Sequence, residues 1–194
     1  MVGRLDRDST GLLLLTSDGR LVNALLRAEL GHAKRYAVTV DRTVTTAHVR
    51  RLAEGVVITT PVQRDRRDGI VTTITQPCDV QQVQGLEGLG VAGWGCGIEF
   101  CATLIQPPLA QVGPRSLSIT LSVGRNRQLR RMCEALGLAV VSLHREEVSG
   151  ITLGGLAAWQ WAPLDMREMA VVQDALQRAS ACDVVGRPRD APWV

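Results

Sequence analysis

The stretch Val2-Gly3-Arg4-Leu5-Asp6-Arg7-Asp8-Ser9-Thr10-Gly11 runs straight into Leu12-Leu13-Leu14-Leu15-Thr16. A charged, glycine-punctuated loop meets a short apolar run. An apolar run of this length between turn residues reads as a buried strand. Asp6 then stands in a loop beside a core strand, where a carboxylate is held in place yet open to a ligand. Taken alone, an Asp in such a loop more often caps a helix or closes a turn. Partners elsewhere in the chain decide between the two roles.

Downstream, helix and strand signals alternate. Ser17 or Asp18 caps a helix over about 18–30, with Leu21 and Leu25, and Val22 and Leu26, four apart on one face. Lys34-Arg35-Tyr36-Ala37-Val38-Thr39-Val40 alternates with the period of a strand. Tyr36, the only tyrosine, either packs amphipathically there or offers its ring to a nucleic-acid base behind two cations. Thr45-Thr46 opens a helix to about Glu54, and 55–60 reads as a strand. The mixed charges of Arg64 to Gly69 read as a solvated loop between that strand and strands at 70–76 and 78–83. Residues 84–98 are rich in glycine, yet no dinucleotide or phosphate-loop pattern opens a helix there. Strands are expected at 99–105 and 116–123.

A second stretch carries an unusual choice: Gly124-Arg125-Asn126-Arg127-Gln128-Leu129-Arg130-Arg131-Met132-Cys133-Glu134-Ala135-Leu136-Gly137. Leu129, Met132, Cys133 and Leu136 form a helical stripe that Gly137 ends. Arg127, Arg130 and Arg131 crowd the first turns, where cations oppose the helix dipole at a cost of a few tenths of a kcal/mol or more each. Either this is a solvated basic face, or nearby carboxylates or phosphates offset the charge. A buried strand follows through Leu143, His144 and Arg145, then a strand at 151–156, a helix at about 166–179 capped by Asp165, and a loose tail over 180–194.

The length, 194 residues, suits one well-cored domain. A hydrophobic fraction of 45% with 21% charged residues is that of a globular protein, and no apolar run approaches the roughly 20 residues that span a bilayer. No secretory signal is visible. Net charge is only +3, yet every basic residue except Lys34 is an arginine, the side chain suited to bidentate phosphate contacts. The five cysteines include no C-x-x-C pair, so no metal site is expected, and the odd count points to reduced thiols inside a cell.

These motifs together resemble those of the RsuA-type rRNA pseudouridine synthases, most of all the members acting on the large subunit. Gly3-Arg4-Leu5-Asp6 with Thr10-Gly11-Leu12-Leu13-Leu14-Leu15-Thr16 and Asp18-Gly19 matches that family's signature, and Lys34-Arg35-Tyr36 its K-x-Y motif. Asn126 to Met132, Leu143-His144-Arg145 and Leu153-Gly154-Gly155-Leu156 match in order, and the likeness covers about 2–60 and 115–166. It implies an α+β catalytic domain over 1–179, a mixed and largely antiparallel sheet flanked by helices, with insertions within 61–114. By this resemblance Asp6 is the catalytic aspartate, nucleophile or base. Tyr36 stacks on the uracil, Arg130 pairs with Asp6, and Leu143 lines the base pocket. Arg4, Lys34, Arg127, Arg131 and Arg145 contact the substrate. The implied partner is RNA, in particular rRNA, with no membrane role.

The chemistry agrees with that assignment. Uridine isomerisation breaks the C1′–N1 bond, turns the base and joins C1′ to C5, with no redox change or net hydrolysis. No cofactor or metal is expected. A carboxylate attacks C1′, or takes a proton at C2′ to give a glycal. Both routes need ionised Asp6, which an arginine partner favours. Family members usually have an S4-like domain and further strands before the G-R-L-D loop, so the resemblance also implies N-terminal truncation. The rival reading is an inactive, RNA-binding remnant, a role for which Asp6 would be superfluous. The expected compartment is the cytoplasm, or an organelle if a transit peptide precedes the chain.

Overall fold

The structure, a computed structural model, describes residues 1–26, 32–64, 67–83 and 115–184. In chain order the elements are β1 (Thr10–Gly11), α1 (Gly19–Leu26), β2 (Lys34–Val40), α2 (Thr46–Glu54), β3 (Val57–Arg64), β4 (Arg67–Ile74), β5 (Asp79–Gln82), β6 (Ser116–Leu121), α3 (Gln128–Glu134), β7 (Val140–Val148), β8 (Ile151–Thr152) and α4 (Met166–Val184). The main sheet runs β1-β7-β2-β6-β5, and β8 also pairs with β7. Only β1 and β7 run parallel; the other pairs are antiparallel. The fold is therefore α+β with a mixed, largely antiparallel sheet, as the sequence leads one to expect.

Strand alternation builds one face of this sheet. The register sets Val38 opposite Leu117 on one side and Leu143 on the other, and one rung further along it sets Tyr36 between Ile119 and Arg145. Directly paired residues point to the same face. Leu52 of α2 and the Leu129, Met132 and Cys133 stripe of α3 cover the apolar rungs, and all of these residues are buried. A second cluster joins Leu21 and Leu25 of α1 to Val172 and Ala175 of α4 and to Leu12, Leu14, Val148 and Ile151. Local chemistry sets the helix starts. Thr45 caps α2 in a reciprocal box with His48, and Asp165 accepts from the amides of Arg167 and Glu168.

Four expectations need correction. The run Leu12 to Leu15 is not a regular strand: β1 ends at Gly11, and Leu14 makes only an isolated bridge to Val2. Its polar groups go elsewhere, since the Leu12 carbonyl accepts from the Arg145 side chain (Nε, 2.8 Å). In the charged segment 64–69, Arg64 and Arg67 to Gly69 are strand and not loop, because β3 and β4 form a hairpin in register from Val57/Ile74 to Arg64/Arg67; residues 65 and 66 lie outside the described residues. Exposed paired strands need no apolar alternation, so charge alone gave no warning. The strand expected at 151–156 stops at Thr152, and the last helix continues to Val184. The strand expected at 99–105 and the glycine-rich segment lie outside the described residues, as does the tail beyond 184.

One turn is strained. The Gln160 amide donates to the Ala157 carbonyl at 3.1 Å, which puts Trp159 at the third position of a four-residue turn with φ +65. A residue other than glycine pays about 1–2 kcal/mol for that left-handed backbone, and asparagine pays least. The indole is fully exposed, so no packing offsets the cost. Trp159→Asn is therefore expected to stabilise the protein by about 1 kcal/mol, read as a higher denaturant midpoint at an unchanged slope.

Candidate active site

The end of the sheet face at Lys34 and Tyr36 opens into a cavity of about 640 Å³. Asp6, Tyr36, Leu143, Arg4, Lys34, Arg127 and Arg145 all line it. Residues separated by more than a hundred positions thus converge, and β2 and β7 lie side by side to bring them there. Burial and the neighbouring Arg145 hold the Lys34 ammonium below its usual range. Leu143 is buried and offers the cavity an apolar wall.

The Asp6 loop is held tightly. The Ser9 amide donates to the Asp6 carbonyl at 3.0 Å, closing a turn. Arg145 secures the loop from behind: its Nη1 donates to the Arg4 carbonyl at 3.3 Å, and its carbonyl accepts from the Leu12 amide at 2.8 Å. Among the described residues, the Asp6 carboxylate makes no hydrogen bond, and its one ion pair is to Arg127 Nη1 at 3.8 Å. A carboxylate held by its backbone, with free oxygens facing a cavity, is poised to attack or to take a proton.

The arginines fall out differently from expectation. Arg130 does not pair with Asp6. Its Nη2 donates to the Asp8 carbonyl at 2.7 Å and lies 3.4 Å from Ser9 Oγ, while Nη1 donates to the Val140 carbonyl at 3.3 Å. The reason is backbone geometry. Arg127 caps α3 in the left-handed region at φ 49, which turns its guanidinium onto the loop, whereas Arg130 sits one turn further in. Arg131 is not at the cavity either, because it donates to the Thr59 and Asn126 carbonyls and ties α3 to the hairpin. Arg145 is 3% exposed, so it is no surface phosphate contact, although its Nη2 finds no partner among the described residues.

Sequence reasoning missed Asp8 and Gln128. Asp8 Oδ2 accepts from Arg127 Nη2 at 3.0 Å and lies 4.0 Å from Arg130 Nε. The Asp6-x-Asp8 spacing beside a cluster of arginines was the available signal. Gln128, 5% exposed, accepts from the Arg125 amide through its Oε1 at 2.9 Å and so fixes the turn that presents Arg127. At the start of α3, Arg127 and Arg130 are thus offset by carboxylate and carbonyl oxygens of the loop, and Arg131 by the Thr59 and Asn126 carbonyls.

Comparison with known proteins gives the family. Residues 1–135 match the family described as RNA pseudouridylate synthase. The chain belongs to that family. It is 31% identical over 180 residues to the dual-specificity RNA pseudouridine synthase RluF of Escherichia coli K12, over 93% of this chain and 48% of that protein. It is 31% identical over 171 residues to the ribosomal large subunit pseudouridine synthase E of Xanthomonas campestris pv. campestris, over 85% of this chain and 76% of that protein. A crystal structure of a pseudouridylate synthase superposes with a TM-score of 0.62 at 26% identity, over 88% of this chain and 58% of that one. This pseudouridylate synthase family member thus spans about half the length of its RluF relative. Among the described residues, no helix is long and apolar enough to cross a membrane.

Proposed function

We propose that the chain isomerises a uridine of RNA to pseudouridine, with ribosomal RNA as substrate, and that it works in the cytoplasm. The observation that carries this reading is the Asp6 carboxylate, free of hydrogen bonds among the described residues, in one cavity with Tyr36 and Leu143. Relatives named for large-subunit rRNA and for RNA support the substrate class. On this reading residues 1–179 are the catalytic domain.

The target uridine leaves its stack at a cost of a few kcal/mol, and stacking on the Tyr36 ring returns about 1–3 kcal/mol. Leu143, on the same sheet face as Tyr36, gives the base an apolar surface and excludes water there. Asp6 then acts on the ribose, as nucleophile at C1′ or as base at C2′; the C1′–N1 bond breaks, and its electron pair leaves with the uracil. The base turns within the cavity and C5 attacks C1′, which displaces Asp6 from C1′ on the first route, while on the second Asp6 returns its proton to C2′. The C5 proton is then lost and N1 takes one up, so no atom is gained or lost. Nothing is oxidised or hydrolysed, so the reaction needs no cofactor. Arg4 and Lys34, at the cavity, hold the RNA backbone.

Mass-spectrometric mapping of pseudouridine in rRNA from cells with and without the gene tests the proposal. Loss of one site on deletion, restored by the wild-type gene, is the expected result. An unchanged map would leave an RNA-binding role without turnover as the better reading.

A further inference from the structure

Asp8 lies between two guanidiniums and outside the cavity. Its carboxylate takes the short bond from Arg127, at 3.0 Å, while Asp6 has the same guanidinium only at 3.8 Å. Its carbonyl takes the short bond from Arg130, at 2.7 Å. Arg127 thus faces two carboxylates and is committed to the one that does no chemistry. The backbone that makes this possible is strained, because Arg127 adopts the left-handed conformation with no side-chain cap on its helix. Strain of this kind costs about 1–3 kcal/mol and persists where the geometry is used.

A nucleophile or base bonded directly by an arginine is a poor one. The guanidinium holds the lone pairs that must attack, and it stabilises the ground state more than the transition state. An arginine too far away leaves the carboxylate uncompensated. We infer that Asp8 is a positioning residue: it holds the Arg127 guanidinium back from Asp6, within reach of an ion pair at 3.8 Å and too far to bond the reacting oxygens. This inference rests on the isomerase reading above. Without the Asp8 charge, Arg127 is free to close the gap and bond Asp6.

Asp8→Asn keeps the shape and the backbone carbonyl that Arg130 uses, and removes only the charge. In the full-length protein, kcat for pseudouridine formation is expected to fall roughly tenfold or more. RNA affinity should hold or rise, since one negative charge is lost beside the phosphate path. A double-mutant cycle separates positioning from mere support of the loop. If Asp8 acts through Arg127, adding Asp8→Asn to Arg127→Gln costs nothing further, whereas independent structural roles would add. Two results would overturn the inference while leaving the function intact: an Asp8→Asn variant with wild-type kcat, or additive losses in the cycle. A wild-type protein that forms no pseudouridine would remove the isomerase reading, and the inference with it.

Discussion

Asp6→Ala is expected to abolish pseudouridine formation, by at least about 10³-fold in single-turnover rate, with RNA affinity close to wild type. The split follows from where Asp6 sits. Its carboxylate makes no hydrogen bond among the described residues, so its removal strands no partner except the loosely paired Arg127. The loop keeps its shape because main-chain groups hold it: the Ser9 amide to the Asp6 carbonyl, and the Arg145 side chain to the Arg4 and Leu12 carbonyls. Loss of an anion from a cavity lined by Arg4, Lys34, Arg127 and Arg145 does not weaken phosphate binding. Single-turnover assays with tritiated uridine transcripts, beside filter binding, read both quantities. Turnover by the alanine variant would take Asp6 out of the mechanism. Loss of binding in step with activity would mean that the aspartate builds the site and does no chemistry.

The second large effect falls on stability. Gly11→Ala is expected to cost more than about 3 kcal/mol and to inactivate the protein. Gly11 has φ +109, a backbone that alanine adopts only under strain. A Cβ there would also land on the main chain of Arg145, its carbonyl oxygen and amide nitrogen, where β1 runs parallel to β7. No side chain can swing aside to make room; the two strands must part. Gly19→Ala is the control. A Cβ at Gly19 meets nothing within 4 Å, and alanine is the better helix former, so stability should hold or rise slightly. Urea unfolding of both variants gives the comparison, and a Gly11→Ala protein as stable as wild type would show that β1 yields easily.

Much of the fold was legible because it rests on alternation. Val38 and Val40, then Leu117, Ile119 and Leu121, repeat every second residue, and the Leu129, Met132 and Cys133 stripe repeats with helical period; all of these pack where the pattern puts them. Caps were legible too, since Thr45 and Asp165 act through their own side chains within one turn. At the site, Asp6, Tyr36 and Leu143 could be picked out as an ordered set of motifs, and they share one cavity.

What stayed hidden depends on backbone geometry that no local pattern reports. Three arginines lie within five residues, and the one facing Asp6 is set by the φ of a single residue, Arg127. The Leu12 to Leu15 run reads as a strand by composition, yet the Leu12 carbonyl is claimed by a side chain 133 residues away. The hairpin at 57–74 lacks the apolar alternation that marks half-buried strands. Val57, Ile70 and Ile74 are exposed on it, and one of its ties to the body of the protein is the Arg131 bond to the Thr59 carbonyl.

Arg145 has a consequence for engineering. Through one side chain and one carbonyl, it fastens the segment from Arg4 to Leu12 to β7 at three points. The two pieces form a single cassette split across the sequence. Grafting the G-R-L-D loop into another scaffold would transfer its residues without their alignment unless the strand bearing Arg145 travelled with it. Loop exchange between homologues is likewise confined to pairs that keep an arginine there, so the smallest transplantable unit of this site is a loop together with a distant strand.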